Sequence, residues 1–237
     1  MSTKIISVTF KSPMGFLKKT DMNEDMYLTY NSLHKPAVLG ILGAICGLEG
    51  FYQGFIKYPK GLPGYYEKFR DLQIGIQPVT GGRSSVFKKA YLSYNNSTGA
   101  ASDEEGGNLI ITEQFLLNPQ YKVFIQLDDT DELQRTLMHN LKENEAVYIP
   151  YLGKNEHHLW WEDFTEHHFV KYVPKPGSTY RIRSLFRHPV DQQIVRGGGL
   201  WAQLTQDAVF NFERLPSGYD PDLRVYAFDD YVTTNTE

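Results

Sequence analysis

The spacing of apolar residues along this chain alternates between strand-like and helix-like segments. Runs of β-branched and aromatic residues predict strands at 5–10, 72–79, 83–94, 108–117, 121–127 and 147–151. The apolar run AVLGILGAICGL at 37–48 predicts a buried helix, because Pro36 before it suits a first helical turn. A second helix is expected after the capping box DTDE at 129–132, whose N-cap is Asp129.

These elements occur in the order strand, helix, strand, long hairpin, strand, helix, strand. With the hairpin taken as an insertion, the order is close to βαββαβ, the split βαβ of ferredoxin-like domains, which is an α+β fold. The open face of such a sheet is the RNA-recognition-motif platform. We therefore predict a ferredoxin-like domain over residues 1–174, with the hairpin at about 83–117, and a β-rich C-terminal extension over 175–237.

Composition narrows the class of protein. The chain has 237 residues and one cysteine, which excludes an intrachain disulfide and a thiolate zinc cluster and fits a reducing compartment. No secretory signal is evident in the first ten residues, and the apolar run at 36–48 is too short to span a bilayer. The prediction is a soluble, cytoplasmic protein.

The net charge of −4 conceals a polarised chain. Residues 57–91 hold seven Lys or Arg against two acids, and 171–196 hold six against one, whereas 101–145 hold ten acids against three bases. Basic residues and rings interleave at 57–70 and 83–94, a mixture that grips phosphates and stacks on unpaired bases. From charge alone, these basic segments fit an ordinary solvated surface as well as they fit a nucleic-acid site.

Other chemistries have weaker support. The sequence lacks GxxxxGK[ST] and HExxH motifs, and the glycines at 197–199 read as a turn. The two EHH triplets at 156–158 and 166–168 contain adjacent histidines that point apart, so neither triplet chelates alone, and no metal or cofactor is predicted. Tyr30, His34 and Lys35 could cleave RNA by general acid–base catalysis or simply hold phosphates, and binding is the favoured reading.

Four segments carry a family resemblance. The segments FKSPMGF at 10–16 and HKPAVLGILGAI at 34–45, with Tyr30 between them, closely resemble the N-terminal signature of the CRISPR-associated family-five proteins of type I systems, within the RAMP superfamily. The segments LNPQY at 117–121 and VYIPYLGKNE at 147–156 are similar to the middle and closing motifs of that family. These motif sequences are most similar to those of subtype I-B.

The resemblance implies a function in antiviral defence. Family members are RNA-binding subunits that cap the 5′ handle of the guide RNA in the Cascade complex, with a protruding thumb hairpin. They contact the backbone subunit of the seventh Cas family and the large subunit of the eighth. Contact with target DNA near the protospacer-adjacent motif is left open.

The resemblance also bears on cleavage. In subtype I-B a separate sixth-family endoribonuclease cuts the precursor, so binding without cleavage is expected. Subtype I-C relatives cleave with a Tyr, Lys and His group. Tyr30 falls near their tyrosine, but no adjacent Lys-His pair is found in the hairpin. The alternative is therefore a metal-independent endoribonuclease that cleaves CRISPR repeat RNA with Tyr30, His34 and Lys35.

The expected RNA contacts lie in four loops or arms beside the sheet. They are Lys11, Lys18, Lys19, His34, Lys35, Arg83, Lys88, Lys89, Gly153, Lys154 and Asn155.

Overall fold

The computed structural model describes residues 3–20, 26–50, 52, 61–81, 85–95, 110–168, 184–187, 210–220 and 225–234. Within these ranges the chain is mixed α+β, with several sheets and few helices. The elements are β1 (Thr3–Lys11), β2 (Met14–Gly15), β3 (Met26–Tyr27), α1 (Lys35–Ile45), α2 (Gly64–Phe69), β4 (Gln73–Pro78), β5 (Lys89–Asn95), β6 (Ile110–Leu117), β7 (Gln120–Asp128), α3 (Glu132–Glu143), β8 (Trp160–His167), β9 (Phe186–Arg187), β10 (Phe210–Asp220) and β11 (Val225–Thr234). No helix in the described ranges is both long enough and apolar enough to span a bilayer.

The main sheet has the strand order β4-β7-β1-β8, and every neighbouring pair is antiparallel. Helix α1 lies between β1 and β4 in the chain, and α3 lies between β7 and β8. Each helix therefore joins two strands that are separated by one antiparallel strand. Alternate residues of β7 are fully buried, which is the period of a strand with one face on the core. The apolar face of α1 packs against this same core.

A second sheet is built around β6. Strand β5 pairs with one edge of β6, and the short strands β2 and β3 pair with its other edge. The predicted hairpin is thus present as β5 and β6, but β5 begins at Lys89 rather than at residue 83. The segment 96–109, which connects these two strands, lies outside the described residues.

A third sheet contains β9, β10 and β11. Leu215 on β10 is 1 % exposed and belongs to the same apolar cluster as α1 and the main sheet. The C-terminal strands therefore contribute to the central core. The predicted domain boundary at residue 174 lies outside the described residues.

The predicted strand at 147–151 is wrong. These residues form a loop that hydrogen-bonds to the C-terminal end of α1 and do not join the main sheet. The N–H groups of Val147 and Tyr148 donate to the carbonyls of Ile45 and Ala44 at 3.2 and 3.0 Å. Helix-end carbonyls have no partner within their own helix, so this loop satisfies them. The fourth sheet strand is β8, whose Trp161 is buried.

Two smaller predictions also differ from the structure. The sequence patterns predict two helices, yet Gly64–Phe69 form a further short helix, α2. The N-cap of α3 is Asp131 rather than Asp129, because the Asp131 carboxylate accepts the Gln134 N–H at 2.9 Å.

Candidate nucleic-acid interface

A groove of about 730 Å³ runs along the outer face of α1. Its floor is made by the small and apolar residues of that face, namely Pro36, Ala37, Gly40, Ile41 and Ala44. Its walls come from the loops at 16–18 and 148–154, with one ring each from α2 and β11, Tyr65 and Tyr226. The groove therefore combines an apolar floor with aromatic walls and basic residues at its rim.

Main-chain hydrogen bonds join the distant segments that build this groove. The Phe16 N–H donates to the Leu152 carbonyl at 3.0 Å, and the Asn118 N–H donates to the Pro13 carbonyl at 2.9 Å. Tyr148 is bonded in the same way to Ala44 in α1. Three of the four segments that carry the family resemblance line the groove, and the fourth, 117–121, is bonded to the loop that leads to Phe16.

The loop at 151–155 can approach residue 16 only because residue 153 is glycine. Gly153 has φ +88°, and an added Cβ would lie 1.8 Å from the Phe16 carbonyl oxygen. A positive φ is accessible to glycine at little cost, and no side chain fits in that space. Gly153 thus allows this loop to pack against Phe16, and the packing places the neighbouring Lys154 at the groove wall.

Lys154 lies at the groove wall within a charged and aromatic cluster. Its ammonium group donates to the Glu113 carboxylate on β6 and lies 3.7 Å from Glu156. It also lies 5.1 Å from the ring centroid of Phe16 and 5.2 Å from that of Tyr94. Partial burial acts to lower the pKa of Lys154, but the hydrogen bond and charge of Glu113 outweigh it, and the pKa is raised. Lys154 is therefore cationic at neutral pH, with its charge largely balanced by Glu113.

Lys18 is the exposed cation of the groove. Its ammonium group lies 3.7 Å from the ring centroid of Tyr27, in cation–π range. The residue is solvent-exposed and lines the groove. Its charge is therefore available to an anionic ligand in the groove.

His34 lies at the N-terminal end of α1 and lines the same groove. It is the N-cap, because its Nδ1 accepts the Ala37 N–H at 3.3 Å. Burial lowers the pKa of His34 to about 4, so the imidazole is neutral at pH 7. With Nδ1 used as an acceptor, Nε2 carries the proton. His34 therefore offers a hydrogen-bond donor to a ligand rather than a positive charge.

The three residues of the cleavage alternative do not share an accessible site. The rings of Tyr30 and His34 meet edge to face at 5.7 Å. Tyr30 is only 2 % exposed, and neither Tyr30 nor Lys35 is among the described residues that line the groove. Burial lowers the pKa of Lys35, although the charge of Asp71 opposes that shift.

The remaining predicted contacts lie away from the groove or outside the described residues. Lys11 is ion-paired with Glu162 on the neighbouring strand β8. Lys19 and Lys89 lie together near the turn before α1. Lys88 and Asn155 are exposed, and neither is among the described groove-lining residues. Arg83 lies outside the described residues.

The two EHH triplets lie at opposite ends of β8. His157 is buried in the loop before that strand, whereas His167 at its far end lies 2.8 Å from the Ser7 hydroxyl. Ten residues of extended chain span about 30 Å, so the two triplets cannot share one ion. In the described part of the chain, no group of three or more His, Cys, Asp or Glu side chains is placed to hold a metal.

Two aromatic walls of the groove are Tyr65, which belongs to the aromatic and basic stretch at 57–70, and Tyr226, which the sequence analysis did not single out. An added Cβ on Gly43 would lie 2.3 Å from the Cβ of Tyr65, so the glycines of α1 make room for that residue. Tyr226 reaches the groove through the C-terminal hairpin, which no local pattern near α1 could indicate.

Comparison with known proteins gives structural matches only. No protein-family model matches the sequence, and no curated protein matches it. A chain described as "CRISPR RNA-guided surveillance complex" is 13% identical, with 99% of this chain and 90% of that chain covered and a TM-score of 0.49. A chain described as a Cas protein is 14% identical, with 99% and 94% covered and a TM-score of 0.43. A CRISPR protein from Archaeoglobus fulgidus is 12% identical, with 99% and 86% covered and a TM-score of 0.41. The solved structures similar to this chain thus include CRISPR-associated proteins.

Proposed function

We propose that this chain is an RNA-binding subunit of a type I CRISPR surveillance complex, of the family-five kind and of subtype I-B. In this proposal it binds the single-stranded 5′ handle of the guide RNA and does not cleave it. The observation that carries the proposal is the groove over α1, which gathers three separate motif segments around one surface with cations and rings.

The chemistry of the groove suits unpaired nucleotides. Its apolar floor over α1 can hold a base, and Tyr65, Tyr148 and Tyr226 supply rings for stacking. Each base–ring stack contributes roughly 1–3 kcal/mol. Lys18 at the rim supplies a charge for the phosphate backbone. A repeat-derived handle is constant, so recognition of splayed bases there needs no reading of the variable spacer.

The strand order supports assigning the main sheet to a ferredoxin-like, RNA-recognition type of domain. The order β4-β7-β1-β8, with a helix joining each strand to its second neighbour, is the arrangement expected for a split βαβ. The hairpin β5–β6 then corresponds to the thumb of the family. We propose that its exposed residues Tyr91, Leu92 and Tyr94 contact RNA or a neighbouring subunit.

Binding without cleavage is supported by the environment of the acid–base candidates. A general base must reach the proton that it removes. Tyr30 is too little exposed to reach a bound RNA, and the Nδ1 of His34 is already used as the helix cap, so neither group is placed to act as a general base.

Exposed apolar residues beside the groove support a place within a larger assembly. Val147 and Ile149 are 62 % and 70 % exposed on the loop whose Tyr148 lines the groove. We propose that this loop contacts the backbone subunit of the seventh Cas family or the large subunit of the eighth, because a partner would cover it.

Direct binding of handle RNA tests the proposal. We expect the purified protein to bind a single-stranded repeat-derived RNA in a fluorescence anisotropy titration. Lys18→Glu should weaken binding by roughly tenfold and lower the slope of log affinity against log salt by about 0.7, the value for one lost phosphate contact.

Lys142→Glu is the matched control, because Lys142 is an exposed lysine in the last turn of α3, away from the groove. It should leave both the affinity and the salt slope close to those of the unmodified protein. Equal affinity of the Lys18→Glu and Lys142→Glu variants would exclude the groove as the RNA site. Cleavage of the repeat RNA in EDTA by the purified protein would instead favour the nuclease alternative.

A further inference from the structure

A carboxylate from the C-terminal hairpin occupies a pair of backbone N–H groups just before α1. One oxygen of Glu213 accepts the Asn31 N–H at 2.8 Å, and the other accepts the Ser32 N–H at 2.9 Å. Consecutive backbone N–H groups of this kind form a concavity that binds anions. Glu213 uses both oxygens there, as two oxygens of a phosphate group would.

Two lysines make the surroundings of this concavity positive. The ammonium group of Lys89 lies 3.5 Å from the Thr29 carbonyl, at the start of the same turn. Burial lowers the pKa of Lys89, the charge of Glu213 opposes that shift, and the charge of Lys19 adds to it. Lys89 is therefore within electrostatic reach of both Glu213 and Lys19. The ammonium group of Lys19 lies 5.5 Å from the ring centroid of Tyr30, the residue before Asn31.

The turn keeps its shape through contacts that do not involve Glu213. The Asn31 side-chain amide donates to the Ser85 carbonyl at 2.8 Å, and its amide oxygen accepts the Phe87 N–H at 2.8 Å. The Asn31 carbonyl accepts the Tyr121 hydroxyl. The two N–H groups thus remain aimed at one point even when the carboxylate is absent.

We propose that the N–H groups of Asn31 and Ser32, together with Lys19 and Lys89, form a binding site for one phosphate group, and that Glu213 fills this site in the free chain. Asn31 and Ser32 are only 8 % and 2 % exposed, so a ligand enters when the Glu213 side chain leaves. An incoming phosphate restores both hydrogen bonds and the negative charge.

The source of the phosphate group rests on the proposed function. Ser32 precedes His34 by two residues, a distance of at most about 7 Å along the chain, and His34 lines the groove. A strand that leaves the groove at this end passes near the site. A backbone phosphate of bound RNA and free inorganic phosphate share the required chemistry, and the two arms below separate them.

The first arm uses inorganic phosphate and no RNA. The melting temperatures of the unmodified protein, Glu213→Ala, Glu213→Gln and the control Glu143→Gln are measured in sodium phosphate and in sodium chloride of equal ionic strength. Glu143 is an exposed acid of α3, so its variant matches the change in charge. We expect phosphate to raise the melting temperature of both Glu213 variants by about 2–4 °C more than that of the control.

The second arm measures anisotropy with a short oligouridine. Glu213→Gln, which keeps the side-chain size and one acceptor oxygen, should bind roughly three- to tenfold more tightly than the control, and adding Lys89→Met should abolish the gain. A gain with phosphate alone supports the site and identifies a free oxyanion as its ligand. No gain in either arm overturns the inference. A lack of any RNA binding by the unmodified protein would refute the proposed function, while the phosphate arm still decides this site.

Discussion

Residue 153 sets the local geometry of the groove through its backbone conformation. Its φ of +88° and the 1.8 Å separation between an added Cβ and the Phe16 oxygen leave no position for a side chain. Gly81 has a similar φ of +63°, but an added Cβ there would meet nothing within 4 Å. Alanine substitutions at these two glycines therefore distinguish the energetic cost of a positive φ from the cost of the contact with Phe16.

Gly153→Ala is expected to lower the free energy of unfolding by roughly 3 kcal/mol, because the loop must move away from Phe16. Gly81→Ala should lower it by only about 1 kcal/mol, the cost of a left-handed conformation for alanine. Urea unfolding followed by tryptophan fluorescence measures both values. Equal losses in the two variants would contradict the close packing of the groove wall.

At the scale of elements, α1 both packs the core and forms the floor of the groove. The buried side chains Val38, Leu39, Leu42 and Ile45 face the sheet, while its small residues face outward. His34 caps the helix with a neutral ring, since burial lowers its pKa to about 4. The stability of this helix is thereby linked to pH.

The linkage has a definite sign. Below the ordinary histidine pKa of 6.5, His34 is protonated in the unfolded chain. In the folded chain it stays neutral until the pH falls to about 4. Stability is therefore lost as the pH falls through that window. Between pH 7 and pH 5, we expect the unmodified protein to lose about 1–2 kcal/mol more than His34→Asn, which keeps a capping side chain without a titrating ring.

Urea unfolding at a series of pH values tests this expectation. Contributions from carboxylates and other histidines are common to both proteins and cancel in the difference. A difference that stays constant from pH 7 to pH 5 would show that His34 is protonated in the folded state like an ordinary histidine.

At the scale of the whole molecule, the C-terminal hairpin belongs to the central core. Leu215 is 1 % exposed in the main apolar cluster, and Glu213 holds the turn before α1. The Tyr219 N–H also donates to the Tyr66 hydroxyl oxygen at 2.8 Å. These contacts pack the described part of the C-terminal hairpin against the core.

Removing the hairpin should therefore destabilise the rest of the chain. A fragment ending at residue 174 is expected to melt well below the full chain, and Leu215→Ala in the full chain should cost about 2–5 kcal/mol. Phe212→Ala is the control, because Phe212 is 62 % exposed on the same strand. Differential scanning calorimetry checks both; a fragment that melts at the temperature of the full chain would establish two independent domains.

Local patterns determined much of the framework. The alternation at 121–127 predicted β7, and the apolar run at 37–48 predicted α1 to within three residues at its end. Both segments bury a face in the core, so their hydrophobic period directly reflects the face that they bury. The motif at 147–156 also indicated a loop with a lysine beside a glycine, and both residues line the groove.

The sequence by itself thus determined the core strands, the buried helix and several residues of the groove. Only the tertiary structure decided that 160–167 rather than 147–151 completes the main sheet, since the carbonyls of α1 engage the earlier segment. It also decided which lysines have partners, because Glu113 and Glu162 lie far from Lys154 and Lys11 in the chain. Long-range pairing depends on which surfaces meet, and neither hydrophobic period nor local charge carries that information.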